Sequence, residues 1–270
     1  MELNLLCLGD VVGGPGRRVL TEAVPRLIAE RGIDCVIANV ENAASGSGLT
    51  PLLYDKFLKA SVDLMTLGDH VYRRRDIIPT LERSDRIVRP ANLSPGAPGH
   101  DFAVCQTRSG HKVAVISLLG RMYMNVHPDC PFHAVDRVLS MLPRDVQIVV
   151  IDVHAEATSE KVAMGWHLDG RVSVVFGTHT HVPTADETIL PGGTGYITDL
   201  GMTGPYDSVL GRSKENVLSA LINVVPSPFN VAEGDVRMCG IIATVQSETG
   251  RCMAIERVCV HDASGTPSGG

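Results

Sequence analysis

The chain has 270 residues, 30 acidic and 24 basic, for a formal charge of −6; 44% are hydrophobic and 20% charged. These proportions match an ordinary globular protein, which excludes wholesale disorder, and the length is enough to bury a core without disulfide or metal staples. No apolar run approaches the ~18 residues of a membrane span, and the acidic balance lacks the basic face that coats duplex nucleic acid.

The opening run M-E-L-N-L-L-C-L-G-D places an acid where a signal peptide has basic residues, so a cytoplasmic location is expected. Cysteines stand at 7, 35, 105, 130, 239, 252 and 259, with no C-x-x-C pair. They read as small buried hydrophobes rather than a disulfide framework or a zinc site. The cluster Arg73-Arg74-Arg75 reads as a solvated helix start.

Leu3 to Leu8 is a short apolar strand that stops at Gly9-Asp10. A Gly-rich loop, Gly13-Gly14-Pro15-Gly16, leads to a helix over Arg17 to Arg31 with a stop at Gly32. A buried strand follows at Cys35 to Val40. Strand, loop, helix, strand favours a parallel sheet of α/β type. The rhythm continues with a helix over Pro51 to Ala60, a strand over Asp63 to Thr66 and a helix over Arg75 to Leu81. The Pro- and Gly-rich stretch Arg89 to His100 reads as an ordered loop. Strands are expected at Lys112 to Leu118 and Gln147 to Val153, with a helix at Phe132 to Met141 between them. A helix over Ser159 to Gly165 and a strand over Val172 to Phe176 come next. Tyr196 to Thr198 is a strand, Gly201 to Pro205 a loop, and Ser213 to Asn223 a helix. Met238 to Val245 and Met253 to Val260 close the fold as a hairpin turning at Gln246 to Arg251. One domain over 1–260 is expected, with room for a small subdomain within 72–130 and a flexible tail at 261–270.

Polar, metal-capable residues follow these strands again and again. Asp10 follows the first strand, Glu41-Asn42 the second, Asp69-His70 the third. His154 follows the strand ending at Val153, and His179 and His181 follow the strand ending at Phe176. Any one of these could be a cap or a turn residue. Together they deliver three carboxylates, an amide and four imidazoles to one edge of a parallel sheet, where ligands bind. The set lacks thiolate and suits Mn, Fe or Zn. Eight candidates exceed one tetrahedral site and suit two ions, which clamp the attacking and leaving oxygens of a phosphoryl displacement. In an extended segment His179 and His181 would point the same way and reach adjacent ions.

The order Asp…Glu-Asn…Gly-Asp-His…His…Gly-Thr-His-Thr-His resembles the calcineurin-like dinuclear metallophosphoesterases, and more closely their YmdB-like bacterial branch. The stretches LGDVVGGPGRR, IANVENAASGSGLT, RPANLSPGAPG, IDVHAEATSEK, VFGTHTHVPTAD and TDLGMTGPYDSVLG carry the likeness across about residues 3–260. The resemblance implies a four-layer α/β/β/α sandwich. It implies that Asp10, Glu41, Asn42 and His181 bind one metal, and that Glu41, Asp69, His154 and His179 bind the second, with Glu41 bridging. It implies that His70 donates a proton to the leaving oxygen after attack by a metal-bound hydroxide. Two divalent ions (Fe or Mn, Zn also compatible), a cyclic-nucleotide substrate of the 2′,3′ or 3′,5′ type and a homo-oligomer are implied as well.

Val12 stands where the wider superfamily has His, and Glu41 where it has Asp; both are typical of the branch. Asp69 stands where the branch usually has Asn, which adds a negative charge beside the metals. Asn92, His133, Met202 and Thr203 are weaker substrate-pocket candidates. A metal-dependent amidohydrolase would place His-x-His early, whereas here it arrives at residue 179. A nucleotide- or metal-binding regulator on the same scaffold, or a phosphomonoesterase or nucleotidase on the same metals, remain the alternatives.

Overall fold

The computed structural model describes residues 1–262. In chain order its elements are β1 (Glu2–Leu8), β2 (Asp10–Val11), α1 (Gly13–Arg31), β3 (Ile33–Asn39), α2 (Pro51–Lys59), β4 (Leu64–Thr66), α3 (Ile78–Arg83), β5 (Ile87–Val88), β6 (Phe102–Gln106) and β7 (Lys112–Leu119). There follow α4 (Pro131–Met141), β8 (Ile148–His154), α5 (Thr158–Leu168), β9 (Val174–Thr178), β10 (Thr188–Ile189), β11 (Gly195–Ile197), β12 (Met202–Pro205), α6 (Lys214–Asn223), β13 (Val236–Gln246) and β14 (Cys252–His261). No helix among the described residues is long and apolar enough to cross a membrane.

Two sheets form. The first runs β2-β12-β13-β1-β3-β4-β5 with β14 paired to β13; the second runs β10-β11-β9-β8-β7-β6. In the first, β1, β3, β4 and β5 are parallel; in the second, β7, β8, β9 and β11 are parallel. Strands covered on both faces are apolar at nearly every position rather than alternating, and β1 shows why. Leu3, Leu5 and Cys7 pack between the sheets with Ile37, Val115 and Val150. Leu6 and Leu8 face the other way, onto Val19, Leu20 and Phe57 of α1 and α2. A third apolar layer joins the outer face of β7, β8 and β9 to α4 and α5 through Val135, Val138, Met164 and Leu168. Three apolar interfaces separate four layers, which is the α/β/β/α sandwich. Each fully buried Leu or Ile contributes about 1.5–3 kcal/mol, so the inter-sheet layer is a principal source of stability.

The segment 72–130 supplies β5 to the first sheet and β6 and β7 to the second. Cross-sheet hydrogen bonds reinforce the stack. Asp152 of β8 accepts from Asn39 Nδ2 of β3 at 3.0 Å and from Thr66 Oγ1 of β4 at 2.5 Å.

Several expected boundaries moved. Gly13-Gly14-Pro15-Gly16 is the first turn of α1, not a loop. Glycine is needed at 16 because a Cβ there would lie 2.1 Å from the Thr203 carbonyl oxygen of β12. Gly201–Pro205, expected as a loop, contains β12, which pairs with β2 and β13. Strands β2, β5 and β10 have two residues each and no periodicity to read; their pairing partners define them. The expected tail at 261–270 begins too early: His261 ends β14, and Asp262 accepts from Arg18 Nη2 at 2.8 Å. Residues 263–270 lie outside the described residues.

Candidate metal centre

The C-terminal ends of the parallel strands in both sheets open onto one site. Asp10 enters on β2, just past β1, where Gly9 allows the Gly201 backbone to cross (a Cβ would meet its oxygen at 2.0 Å). Glu41 and Asn42 follow β3, Asp69 and His70 follow β4, His154 is the last residue of β8, and His179 and His181 follow β9. Gly68 is required because a Cβ would sit 2.2 Å from the His154 ring. All eight expected residues are therefore brought together.

They form two overlapping groups, each able to hold a metal ion. Asp10, Glu41 and His154 offer ligand atoms within 4.8 Å of one another, and so do Asp69, His154 and His179. His154 Nε2 lies 3.2 Å from Glu41 Oε1 and 3.1 Å from Asp69 Oδ1. His179 Nδ1 lies 3.1 Å from His154 Nε2 and 3.4 Å from Asp69 Oδ1. On the other side, Asn42 Nδ2 lies 3.4 Å from both Asp10 Oδ1 and Glu41 Oε1 and 3.2 Å from His181 Nε2. A cation at that point takes the amide oxygen, which requires the amide to turn over. His70 stands at the rim, its backbone N–H donating to Glu41 Oε2 at 2.9 Å and its Nδ1 2.8 Å from Asn42 Oδ1.

Each of the three metal-facing imidazoles is fixed from behind. Thr178 Oγ1 donates its one proton to Asp152 Oδ1 at 2.6 Å, so toward His154 it can only accept, and His154 Nδ1 lies 2.8 Å away as donor. His179 Nε2 faces the Glu156 carboxylate at 3.2 Å, and His181 Nδ1 faces the Leu210 carbonyl at 3.0 Å; neither acceptor can donate. The outward nitrogens therefore carry the protons. The lone pairs of His154 Nε2, His179 Nδ1 and His181 Nε2 turn inward among carboxylates. Two lone pairs 3.1 Å apart beside Asp69 need a cation between them, and this outer-acceptor arrangement is how proteins orient histidine ligands. The donor set fits divalent metal.

The electrostatics of the cluster agree in sign. Burial disfavours charge on Asp10, but His181 and His154 outweigh it and hold its carboxyl well below the usual range. Asp69 is likewise lowered against its burial by His154, His179 and His70. Burial opposes the His154 imidazolium, yet Glu41, Asp69 and Asp10 raise its pKa well above the ordinary value. Burial pushes Asp152 up to about 6. A cluster this rich in acceptors draws cations, whether protons or metal.

The geometry of His-x-His differs from expectation. β9 ends at Thr178, and His179 and His181 have φ of 92° and 64°, so the segment is not extended. The rings diverge, one toward His154 and Asp69, the other toward Asp10 and Asn42.

The weaker pocket candidates take varied positions. Asn92 is buried and fully used: Nδ2 donates to the Leu119 and Asp129 carbonyls at 2.7 and 3.0 Å, and Oδ1 accepts from Leu119 N–H at 2.8 Å. His133 is exposed on α4, in the outer helical layer. Met202 and Thr203 are buried in β12, where Met202 pairs with Asp10 and Thr203 with Val11, so they brace the ligand strand from behind. Asp152, Glu156, Thr178, Lys161 and Asp199 were not singled out from sequence. Their contribution lies in partners far along the chain, and only the stretches around them carried any signal.

The whole chain matches known proteins. Residues 6–258 match the family model described as YmdB-like protein. The chain belongs to the YmdB-like family. It is 41% identical over 260 residues to the 2′,3′-cyclic-nucleotide 2′-phosphodiesterase of Bacillus subtilis, covering 96% of this chain and 98% of that protein. It is 32% identical to a putative phosphatase/phosphodiesterase of Mycoplasma pneumoniae, over 95% of this chain and 92% of that one. A crystal structure of a hypothetical protein from Thermus thermophilus superposes with a TM-score of 0.89 at 40% identity, covering 96% of this chain and 100% of that one. The crystal structure of a novel phosphatase from Mycoplasma pneumoniae superposes with a TM-score of 0.89 at 30% identity, covering 97% and 94%.

Proposed function

We propose that this chain is a metal-dependent phosphodiesterase that hydrolyses cyclic nucleotides, 2′,3′-cyclic esters first among them, on one domain spanning 1–260. One observation carries the reading. Three imidazoles have their outward N–H groups committed, and their inward lone pairs converge with three carboxylates at the strand ends of both sheets. Membership in the family and the activity named for the Bacillus relative supply the substrate class.

In this reading Asp10, Glu41, Asn42 and His181 hold one divalent ion, and Glu41, Asp69, His154 and His179 hold a second, with Glu41 shared. Such ions acidify a water and offset the charge that develops on phosphate. The protein's own part is to hold them and to move a proton. His70 is the group for that step. With the Asn42 amide turned to give its oxygen to the ion, the amide nitrogen takes the place 2.8 Å from His70 Nδ1 and donates to it, so the ring proton stands on Nε2 at the rim, 3.8 Å from Asp69 Oδ2. As the P–O bond to the ribose breaks, Nε2–H donates to the departing oxygen.

The test is hydrolysis of 2′,3′-cyclic AMP and bis-p-nitrophenyl phosphate by metal-stripped protein, with Mn²⁺ or Fe²⁺ restored and Glu41→Ala as the blank. Metal-dependent turnover absent from the blank is expected. Two bound metals with no turnover on either ester would replace this reading with a regulatory one.

A further inference from the structure

A cavity of about 230 Å³ opens directly beside the metal centre, with Asp69 in its wall. The rest of its lining is Val71, Tyr72, Leu93, Leu119 and Val126, with Arg73 at one side. Apart from Asp69 and Arg73, what it presents is apolar or aromatic. Leu119 pairs with His154 across β7 and β8, so the wall of the cavity and the metal-facing imidazole are neighbours in one sheet.

The walls are built to stay in place. Tyr72 donates its hydroxyl to the Pro98 carbonyl at 2.6 Å, which holds its ring. Asn92 ties Leu119 to Asp129, and Asp129 N–H returns to the Asn92 carbonyl at 2.8 Å, anchoring the loop that carries Val126. Gly120 N–H donates to the His154 carbonyl at 3.0 Å, which roots the same loop at the site. Asn92 thus shapes this cavity without reaching into it.

A pocket for a whole drug-sized ligand spans ~300–1,000 Å³. This one is smaller, and takes a part. A cyclic nucleotide divides naturally: a charged phosphate for the metals, a polar ribose, and a flat base with apolar faces. Bases stack on aromatic side chains and on arginine planes, and Tyr72 and Arg73 are both present. We propose that the cavity walled by Asp69, Tyr72, Leu93, Leu119 and Val126 receives the nucleobase of the substrate, so that this chain selects nucleoside esters over baseless ones. This rests on the phosphodiesterase reading above.

The experiment compares 2′,3′-cyclic AMP with methyl riboside 2′,3′-cyclic phosphate, which has the same reacting ring and no base. The quantity read is the ratio of the two kcat/KM values, in wild type and in Val126→Trp and Leu93→Trp, which fill the cavity from two different segments. Wild type should favour cyclic AMP by about tenfold or more, and both variants should lose most of that preference, chiefly through KM for cyclic AMP. A wild type indifferent to the base overturns the proposal. So do variants that keep the wild-type ratio, or that lose both esters in equal proportion. Failure of wild type to hydrolyse either ester strikes the phosphodiesterase reading instead.

Discussion

Lys161 and Asp199 form an ion pair closed off from water: Nζ lies 2.6 Å from Oδ2, and each side chain is 1% exposed. Asp199 also accepts from Thr180 Oγ1 at 2.8 Å and from Gly201 N–H at 2.8 Å. Thr180 sits between the two histidines of the metal loop. The pair therefore ties α5 and the segment before β12 to the turn that carries His179 and His181. Gly177 makes room, since a Cβ there would lie 2.8 Å from Lys161 Cδ. Removing one partner strands the other charge in the interior. Lys161→Met should destabilise the fold by about 3–5 kcal/mol, and Lys161→Met with Asp199→Leu should recover much of the loss. Urea unfolding of the three proteins checks this. A double variant as weak as the single would mean that the hydrogen bonds to Thr180 and Gly201, not the stranded charge, set the cost.

In the proposed centre Thr178 would act on metal through His154. Its hydroxyl accepts from Nδ1–H and passes its own proton to Asp152. Thr178→Val keeps the shape and removes both bonds. Loss of an outer partner of a ligating histidine typically costs about 10–100-fold in metal affinity or activity. The expected result is a fall of that order in Mn²⁺ affinity, read by titration of the stripped protein, with secondary structure retained. Unchanged affinity would show that His154 finds its orientation without this chain of bonds.

Asp69 brings a full negative charge to the middle of the candidate ligand cluster. It lies 3.1 Å from His154 Nε2 and 3.4 Å from His179 Nδ1. An amide oxygen could still ligate there, without the charge. Asp69→Asn should weaken divalent binding by about tenfold, a modest figure for one charge a few ångströms away in a partly screened site. It should also raise turnover at saturating metal, because a more cationic centre polarises phosphate and water more strongly. Metal titration and kcat measured at saturation separate the two effects. Tighter metal binding in the variant would contradict the electrostatic account.

Much of this is legible in the sequence. Strands such as β1 and β8 declare themselves because both faces are covered and nearly every residue is apolar. The polar residue that ends each such run stands out against it, and so the candidate ligands could be read off one by one. What supports them could not. Asp152 is an acid inside an apolar strand, and its partners Asn39, Thr66 and Thr178 come from three other strands. Lys161 on α5 reads as a surface lysine until Asp199, 38 residues on, is seen to meet it in the core. The positive φ of His179 and His181 was hidden for a related reason. The turn is held by tertiary bonds, such as His179 N–H to Asp10 Oδ2 at 3.0 Å, rather than by turn-forming residues.

His70 differs from the other site histidines in its Nε2, which makes no hydrogen bond among the described residues and approaches only Asp69 Oδ2, at 3.8 Å. A proton donor must reach the substrate through a nitrogen that the protein does not itself engage. General acid catalysis is worth about 10²–10⁴-fold where the leaving group is basic. A ribose alkoxide is a poor leaving group, whereas p-nitrophenolate departs without a proton. His70→Ala should therefore lower kcat on 2′,3′-cyclic AMP by about 10²-fold or more and on bis-p-nitrophenyl phosphate far less, with metal content unchanged. Equal losses on the two esters would move His70 from proton donor to a role in holding the centre together. Loss of metal would do the same, because its backbone and Nδ1 contacts to Glu41 and Asn42 join it to that framework.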